Sequence, residues 1–181
     1  LVQDGSAIID HFEGLGPSRF PALPPAGVQR VVALLFELFG GEGLLRPAMH
    51  YRWNFDDDNE AFRARDFAGS LLPLASAEEQ AEQIALSSKR MRRAAQIFGV
   101  TPDSAPAIEA SYLDFLARFD AHLAHSPYLL GGRPTIGDYG LIAALYAHLG
   151  RDLHPAALMK AKAWRVWRWT ERMNAPDHDA G

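Results

Sequence analysis

The sequence contains no cysteine, so disulfide bonds, thiolate metal sites and a cysteine nucleophile are excluded within these residues. It also lacks a run of the roughly 20 apolar residues that a membrane-spanning helix needs. Neither sign of charge dominates, because 18 Lys and Arg residues stand against 22 Asp and Glu residues, for a net charge of −4. We therefore predict no membrane insertion and no nucleic-acid partner.

The composition supports a folded core. Of the 181 residues, 48% are hydrophobic and 22% are charged, which suits one domain of ordinary size or one domain and a piece of another. The first residue is Leu1 rather than Met, and the residues after it lack the basic and apolar character of an export signal. We expect a cytoplasmic protein whose sequence starts within a domain, with residues 1–3 as the end of a strand.

Helix-forming and helix-breaking segments divide the chain. Apolar residues at helical spacing in 7–13 follow two capping candidates, Asp4 and Ser6, which predicts a helix of about two turns. Residues 14–26 hold four prolines and are predicted to be a linker. Helical periodicity then extends over 27–174, and a loose tail is expected at 175–181.

The periodic part predicts an all-α bundle. The predicted helices cover residues 28–39, 44–55, 56–67, 76–98, 101 or 104 to about 125, 135–149 and, in one or two pieces, 154–173. Gly40 and Gly41 are stop signals after the first of these, although the first two could also form one kinked helix. The helix that follows Thr135 is nearly all apolar, which predicts that protein surrounds it on every side.

Thr135 and Asp138 form a capping-box pattern. In this pattern the threonine hydroxyl accepts from the amide of the acidic residue, and the carboxylate accepts from the amide of the threonine. A catalytic Asp138 is the alternative, but a carboxylate at the start of a central helix is more often structural. We interpret both residues as a structural cap.

Two groups of polar residues resemble metal sites only superficially. His122 and His125 lie three residues apart and could be joined by His148 and His154, but no ligand spacing typical of zinc accompanies them. The acidic run at 56–58 lacks the spacing and the downstream glutamate of a calcium loop. We predict no metal site, and interpret the acidic run as a solvated helix cap.

An imidazole, a phenol, a guanidinium and an indole occur within little more than one helical turn, at His50, Tyr51, Arg52 and Trp53. At least one of these side chains should then face away from any core. The mixture can line a pocket for a flat or anionic ligand. A core Trp53 with a surface Arg52 is the alternative.

Indoles and arginines also mix along the last predicted helix, at Trp164, Trp167, Trp169, Arg165, Arg168 and Arg172. Such a mixture is compatible with binding to single-stranded nucleic acid. The net charge and the lack of a second basic face favour packed indoles with solvated arginines instead.

Several of these segments, in this order, resemble the glutathione transferase superfamily. Residues 1–13 are similar to the last strand and third helix of its thioredoxin-like domain, and the proline-rich linker is similar to the crossover into its helical domain. The run 128–138, with the capping box, resembles a signature of that helical domain, and 169–174 resembles its closing helix. The resemblance implies an all-α C-terminal bundle with a remnant of an α/β thioredoxin-like domain at the N-terminus.

The resemblance also implies a function. Family members attack small, largely apolar electrophiles with the thiolate of glutathione, a co-substrate, and need no other cofactor. The thiol-activating group belongs to the thioredoxin-like domain before Leu1, so no catalytic residue is expected in this chain. The alternative is a non-catalytic member that binds ligands or assembles with other proteins.

The family pattern also implies binding residues and a partner. It holds the γ-glutamyl end of glutathione with an acidic residue and a serine at the start of the third helix, where free amides bind carboxylates. Asp4 matches the acidic position, Gly5 occupies the serine position, and Ser6 follows. The second substrate is expected at His50, Tyr51 and Trp53, and the full-length protein is expected to be a homodimer.

Overall fold

The computed structural model describes residues 1–16, 20–25 and 27–175, without the side chains of 56–58. The helices are α1 Gly5–Glu13, α2 Gly27–Leu38, α3 Leu45–Trp53, α4 Asp56–Leu71, α5 Ala77–Ile97, α6 Ala105–Leu123, α7 Ile136–Ala144, α8 Leu153–Lys162 and α9 Trp164–Met173; π-helical turns occupy Phe39–Gly43 and Leu145–Leu149. The only strand-type pairing in the described part is one antiparallel bridge, between Tyr128 and Gly131. The predicted helical class is therefore confirmed.

The N-terminal segment is only partly as expected. Residues 1–3 form no strand, since a strand needs a neighbouring strand for its hydrogen bonds and the described residues supply none. Helix α1 is present, and Asp4 rather than Ser6 caps it. The assignment of residues 1–13 to a thioredoxin-like domain stays a prediction. Most of the predicted tail, 176–181, lies outside the described residues.

Gly40 and Gly41 do not end a helix. The chain continues from α2 through the first π turn into α3, and the amide of Leu44 bonds the carbonyl of Phe39 at 2.9 Å. Of the two expectations, the kinked helix is correct and the glycine stop is wrong. The physical reason is a close helix crossing, because a Cβ on Gly40 would lie 2.3 Å from the carbonyl group of Gly140 in α7.

Two hydrophobic cores hold the bundle. The main core lies among α3, α6, α7, the second π turn, α8 and α9, and its largest fully buried side chains include Tyr51, Tyr112, Leu116, Leu141, Met159 and Trp169. The second core lies among α3, α5 and α6 and consists of Met49, Trp53, Ala95, Val100 and Ile108. Both cores therefore pack against α3, which is buried from Pro47 to Trp53.

Helix α7 is not surrounded on every side. Its apolar side chains Ile136 and Leu141 are buried, but Tyr139 is 40% exposed and Tyr146, in the π turn that follows, is 38% exposed. The prediction of a fully enclosed helix is wrong, because α7 packs on α2 and into the main core and leaves Tyr139 partly in solvent. An all-apolar sequence has no polar residues that would mark an open face.

The other predicted helices are present with shifted ends. Ser76 caps α5 with a full capping box to Glu79, and α4 runs to Leu71, longer than predicted. The last predicted helix is divided into α8 and α9 at Ala163, whose φ is −146°. Helices α4 and α5, joined by residues 72–76, pack against each other as a hairpin before α6.

Candidate functional site

The predicted γ-glutamyl corner lies at the start of α1. The Oδ1 atom of Asp4 accepts a hydrogen bond from the amide of Ser6 at 3.0 Å. The backbone of Asp4 has a φ of 83°, which is uncommon outside glycine, and Gly5 is exposed. Asp4 therefore already occupies one of the free amides at this exposed helix N-terminus.

Ser6 joins this corner to the bundle. Its hydroxyl donates a short hydrogen bond to the carboxylate of Glu37 on α2. Helix α1 buries none of its residues, so this bond and the contact of α1 with α7 hold it in place. Glu37 thus belongs to the corner, and sequence reasoning missed it because 31 residues separate it from Ser6.

The four aromatic and basic side chains on α3 are all buried. His50, Tyr51, Arg52 and Trp53 have relative exposures of 3%, 1%, 9% and 1%. They are enclosed because α4, α5, α6 and the second π turn all pack against α3. Tyr51 and Trp53 belong to the hydrophobic cores, whereas His50 and Arg52 belong to neither.

Tyr51 and Trp53 enter different cores. The ring of Tyr51 lies 5.4 Å from that of Tyr112, and burial, assisted by the negative charge of Glu109, raises the pKa of Tyr51 to about 12. The guanidinium of Arg63 lies 4.6 Å over the ring of Trp53. Because both side chains are enclosed, neither is accessible to a ligand in this conformation.

His50 is the one predicted pocket residue that lines an open cleft. The cleft has a volume of about 680 Å³ and lies between the end of α3, the end of α5 and the start of α6. The Nε2 atom of His50 lies 2.9 Å from Oε1 of Glu109, and its Nδ1 lies 2.9 Å from Nδ2 of Asn54. Asn54 presents its NH2 group to the ring, and this group donates. Nδ1 of His50 is therefore assigned as the acceptor, and the ring proton is assigned to Nε2, bonded to Glu109.

Arg52 makes a buried ion pair that sequence reasoning missed. Its Nε donates to both carboxylate oxygens of Asp152, at 2.9 and 3.2 Å, and its Nη2 donates to the carbonyl of Ala147 at 3.1 Å. Burial raises the pKa of Asp152, and the charge of Arg52 opposes this only in part. The pair ties α3 to the start of α8, and no local pattern signals it because the partners are 100 residues apart.

The structural cap is centred on Asp138. Its buried carboxylate accepts hydrogen bonds from the amides of Leu129 and Thr135, at 3.0 and 2.9 Å, and from the hydroxyl of Thr135 at 3.0 Å. Burial raises the pKa of Asp138, and these hydrogen bonds oppose the rise. Both oxygens hold the turn before α7, and the carboxylate is buried away from solvent, which favours the structural role.

The histidines and the acidic run are the candidate metal ligands of the sequence. Within the described ranges, no three His, Asp or Glu side chains are grouped in a way that could hold a metal ion. The ring of His122 bonds the carbonyl of Tyr128 at 3.0 Å. The side chains of the acidic run 56–58 lie outside the described residues.

The indoles of α9 differ in their burial. Trp169 is fully buried and Trp164 is 57% exposed, so the expectation of packed indoles is correct for the first and wrong for the second. Arg165 lies 4.6 Å over the ring of Trp164 and pairs with Asp120 at 2.7 Å. This arginine therefore has a carboxylate partner rather than only solvent.

The predicted corner and the cleft beside His50 are well separated. The corner is fixed to Glu37, and His50 lies 13 residues further along the continuous path of α2, the first π turn and α3. The corner involves α1 and α2, whereas the cleft is lined from the ends of α3 and α5 and the start of α6. The structure thus brings Asp4, Gly5 and Ser6 together and places His50 elsewhere.

Comparison with known proteins gives one finding. Residues 102–172 match the family model of the glutathione S-transferase C-terminal domain, a segment that extends from just before α6 into the last turn of α9 and includes the Thr135–Asp138 cap. No curated protein matches the sequence. In the part of the chain that the structure describes, no helix is both long and apolar enough to cross a membrane.

Proposed function

We propose that this chain supplies the helical part of a glutathione-dependent transferase, because residues 102–172 match the family model of the glutathione S-transferase C-terminal domain. The family match is the observation that carries the proposal. In the proposed reaction, the thiolate of glutathione attacks a small, largely apolar electrophile. The group that stabilises the thiolate belongs to a thioredoxin-like domain.

The start of α1 is proposed to hold the γ-glutamyl end of glutathione. That group carries one carboxylate and one ammonium. The amides of Gly5 and Ser6 suit the carboxylate, because a helix N-terminus attracts anions. Asp4 would leave the amide of Ser6 and take the ammonium, while Glu37 holds the hydroxyl of Ser6 in place.

Isothermal titration of the chain with glutathione tests this corner. We expect Asp4→Asn to weaken binding about tenfold, since it removes a charged hydrogen-bond partner of the ammonium. Asp10→Asn is the matched control, because Asp10 is an exposed carboxylate on the same helix. Equal effects of the two substitutions would contradict the assignment.

A non-catalytic binding protein is the second candidate. The observation that favours it is the hydrogen bond from the amide of Ser6 to Asp4, which fills the position of the glutathione carboxylate. Failure of the chain to bind glutathione at millimolar concentration would favour this candidate. We expect no conjugation of a chlorinated nitrobenzene by the chain alone, and rapid turnover would show that a thiol-activating group is present after all.

A homodimer contact is proposed on the outer face of α2. Four apolar side chains at helical spacing are exposed there, with relative exposures of 57% to 78%: Val28, Val31, Leu35 and Leu38. Scattered apolar residues are ordinary on a surface, but a contiguous apolar stripe marks an interface. Val31→Glu should convert a dimer to a monomer in light scattering, whereas Leu86→Glu, at an exposed leucine on α5, should not.

A further inference from the structure

We propose that the cleft beside His50 binds a small phenolic ligand at a site separate from the glutathione corner, with Nδ1 of His50 accepting a hydrogen bond from the ligand hydroxyl. The inference goes beyond the proposed transferase and does not depend on it.

The orientation of the His50 ring is fixed by Glu109. The ring is buried, and its Nε2 proton is directed to Oε1 of Glu109 at 2.9 Å. The carboxylate of Glu109 is 43% exposed, so water can solvate its other lone pairs. This contact leaves Nδ1 as the acceptor and faces it toward Asn54.

Asn54 is an exchangeable partner. It follows the last residue of α3, and its side chain is exposed, so its amide can return to water at little cost. The buried Nδ1 has no such alternative, because a buried acceptor without a donor is destabilised. A ligand that brings its own donor can therefore replace Asn54, whereas a ligand without a donor cannot.

The remaining walls suit a small aromatic body. Ala95, Val100, Pro102 and Ala105 supply apolar surface, and polar atoms come from Arg92, Gln96 and Thr101. The guanidinium of Arg92 donates to the carbonyl of Trp53. A volume of about 680 Å³ is in the range of sites that enclose small organic molecules. The size and lining fit one or two fused rings that carry a single polar group.

The chemistry of the acceptor selects a neutral hydroxyl. A carboxylate ligand has no proton to donate to Nδ1, so it would leave this buried acceptor without a donor when it displaced Asn54. An aliphatic alcohol could donate but would leave the apolar wall uncovered. A phenol supplies both the donor and the flat apolar surface.

The experiment compares 2-naphthol with 2-methoxynaphthalene, which has the same ring system and no donor, by fluorescence titration at pH 7. For the wild-type chain we expect 2-naphthol to bind about tenfold more tightly than the ether. His50→Phe should abolish that difference. His125→Gln, at an exposed histidine, should leave it unchanged.

Asn54→Ala tests the proposal more directly than His50→Phe, because it removes the donor that competes with the ligand. We expect it to tighten 2-naphthol binding several-fold without changing the affinity for the ether. Equal affinities of the two probes for the wild-type chain, or no gain with Asn54→Ala, would overturn the proposal. Because His50→Phe could also disturb folding, nitrogen NMR of the wild-type chain supplies an independent readout, in which 2-naphthol should shift the Nδ1 signal of His50 more than its Nε2 signal. Saturating glutathione should not compete; competition would refute a separate site.

Discussion

Replacing Asp138 with alanine removes the acceptor that holds the turn before α7. The carboxylate binds two backbone amides, those of Leu129 and Thr135, together with the hydroxyl of Thr135. Asp138 is fully buried. Unless the surrounding structure rearranges, water therefore cannot replace the carboxylate as the acceptor of these hydrogen bonds.

The size of the effect follows from what is left behind. A buried amide that loses its acceptor costs about 1–3 kcal/mol, and two such amides therefore predict a loss of about 2–6 kcal/mol. Removing an ordinary cap costs about 0.5–2 kcal/mol. Asp138→Ala should accordingly exceed the usual effect of a capping residue and remove a large part of the stability of a domain of this size.

The chain contains a matched control. Ser76 and Glu79 form the same capping box at the start of α5, but there the box is exposed, so water can replace the lost contacts of Glu79→Ala. Urea unfolding followed by circular dichroism measures both variants. If Asp138→Ala destabilises the protein no more than Glu79→Ala does, the argument from buried amides is refuted.

The pH dependence supplies a second check on Asp138. Burial raises its pKa in the folded state, so the folded chain holds the proton more tightly than the unfolded chain does. The resulting stabilisation is present in full below the unfolded-state pKa, about 3.9, and is lost as the pH rises through the folded-state pKa. Relative to Asp138→Asn, the wild type should therefore gain stability on acidification; no change would contradict the shift.

Three further substitutions test the packing. Tyr112→Phe should leave the melting temperature unchanged or raise it, because the buried hydroxyl has no hydrogen-bond partner in the described residues; a clear fall would reveal a hidden partner. Gly40→Ala should cost about 1–3 kcal/mol in urea unfolding through its clash with α7, whereas Gly41→Ala, with open space around it, should be neutral or stabilising. Asp152→Ala should cost about 3–5 kcal/mol by leaving Arg52 buried without its partner, and an equally stable Asp152→Ala would show that solvent reaches the guanidinium.

The features that the sequence predicted correctly are local ones. The capping box of Thr135 and Asp138 joins residues three apart, and the predicted helices follow apolar residues at helical spacing. Such patterns are visible in a window of a few residues, because helix geometry brings those positions together. The predicted helix end at Gly40 and Gly41 is wrong because it uses only local sequence. A local rule cannot detect the close crossing of Gly40 with Gly140 of another helix.

Among the candidate site residues, those with partners nearby in the sequence could be predicted, and those with remote partners could not. Asp4 and Ser6 could be placed at the start of α1 from the sequence, since capping depends on neighbours. Glu37, which holds Ser6, and Glu109, which orients His50, could not be identified, because they are 31 and 59 residues from their partners. A binding residue whose partner is remote carries no signature in its own segment.

By itself, then, the sequence determined that this chain is helical, where most helices begin, and that Thr135 and Asp138 cap α7, because these properties depend on residues within one or two turns. Only the tertiary structure decided that Arg52 is buried with Asp152, that Tyr51 and Trp53 are closed to ligands, and that His50 alone of the predicted pocket residues faces a cleft. Those outcomes depend on how helices far apart in the chain pack on α3, and packing between remote segments is not encoded in the periodicity of either one.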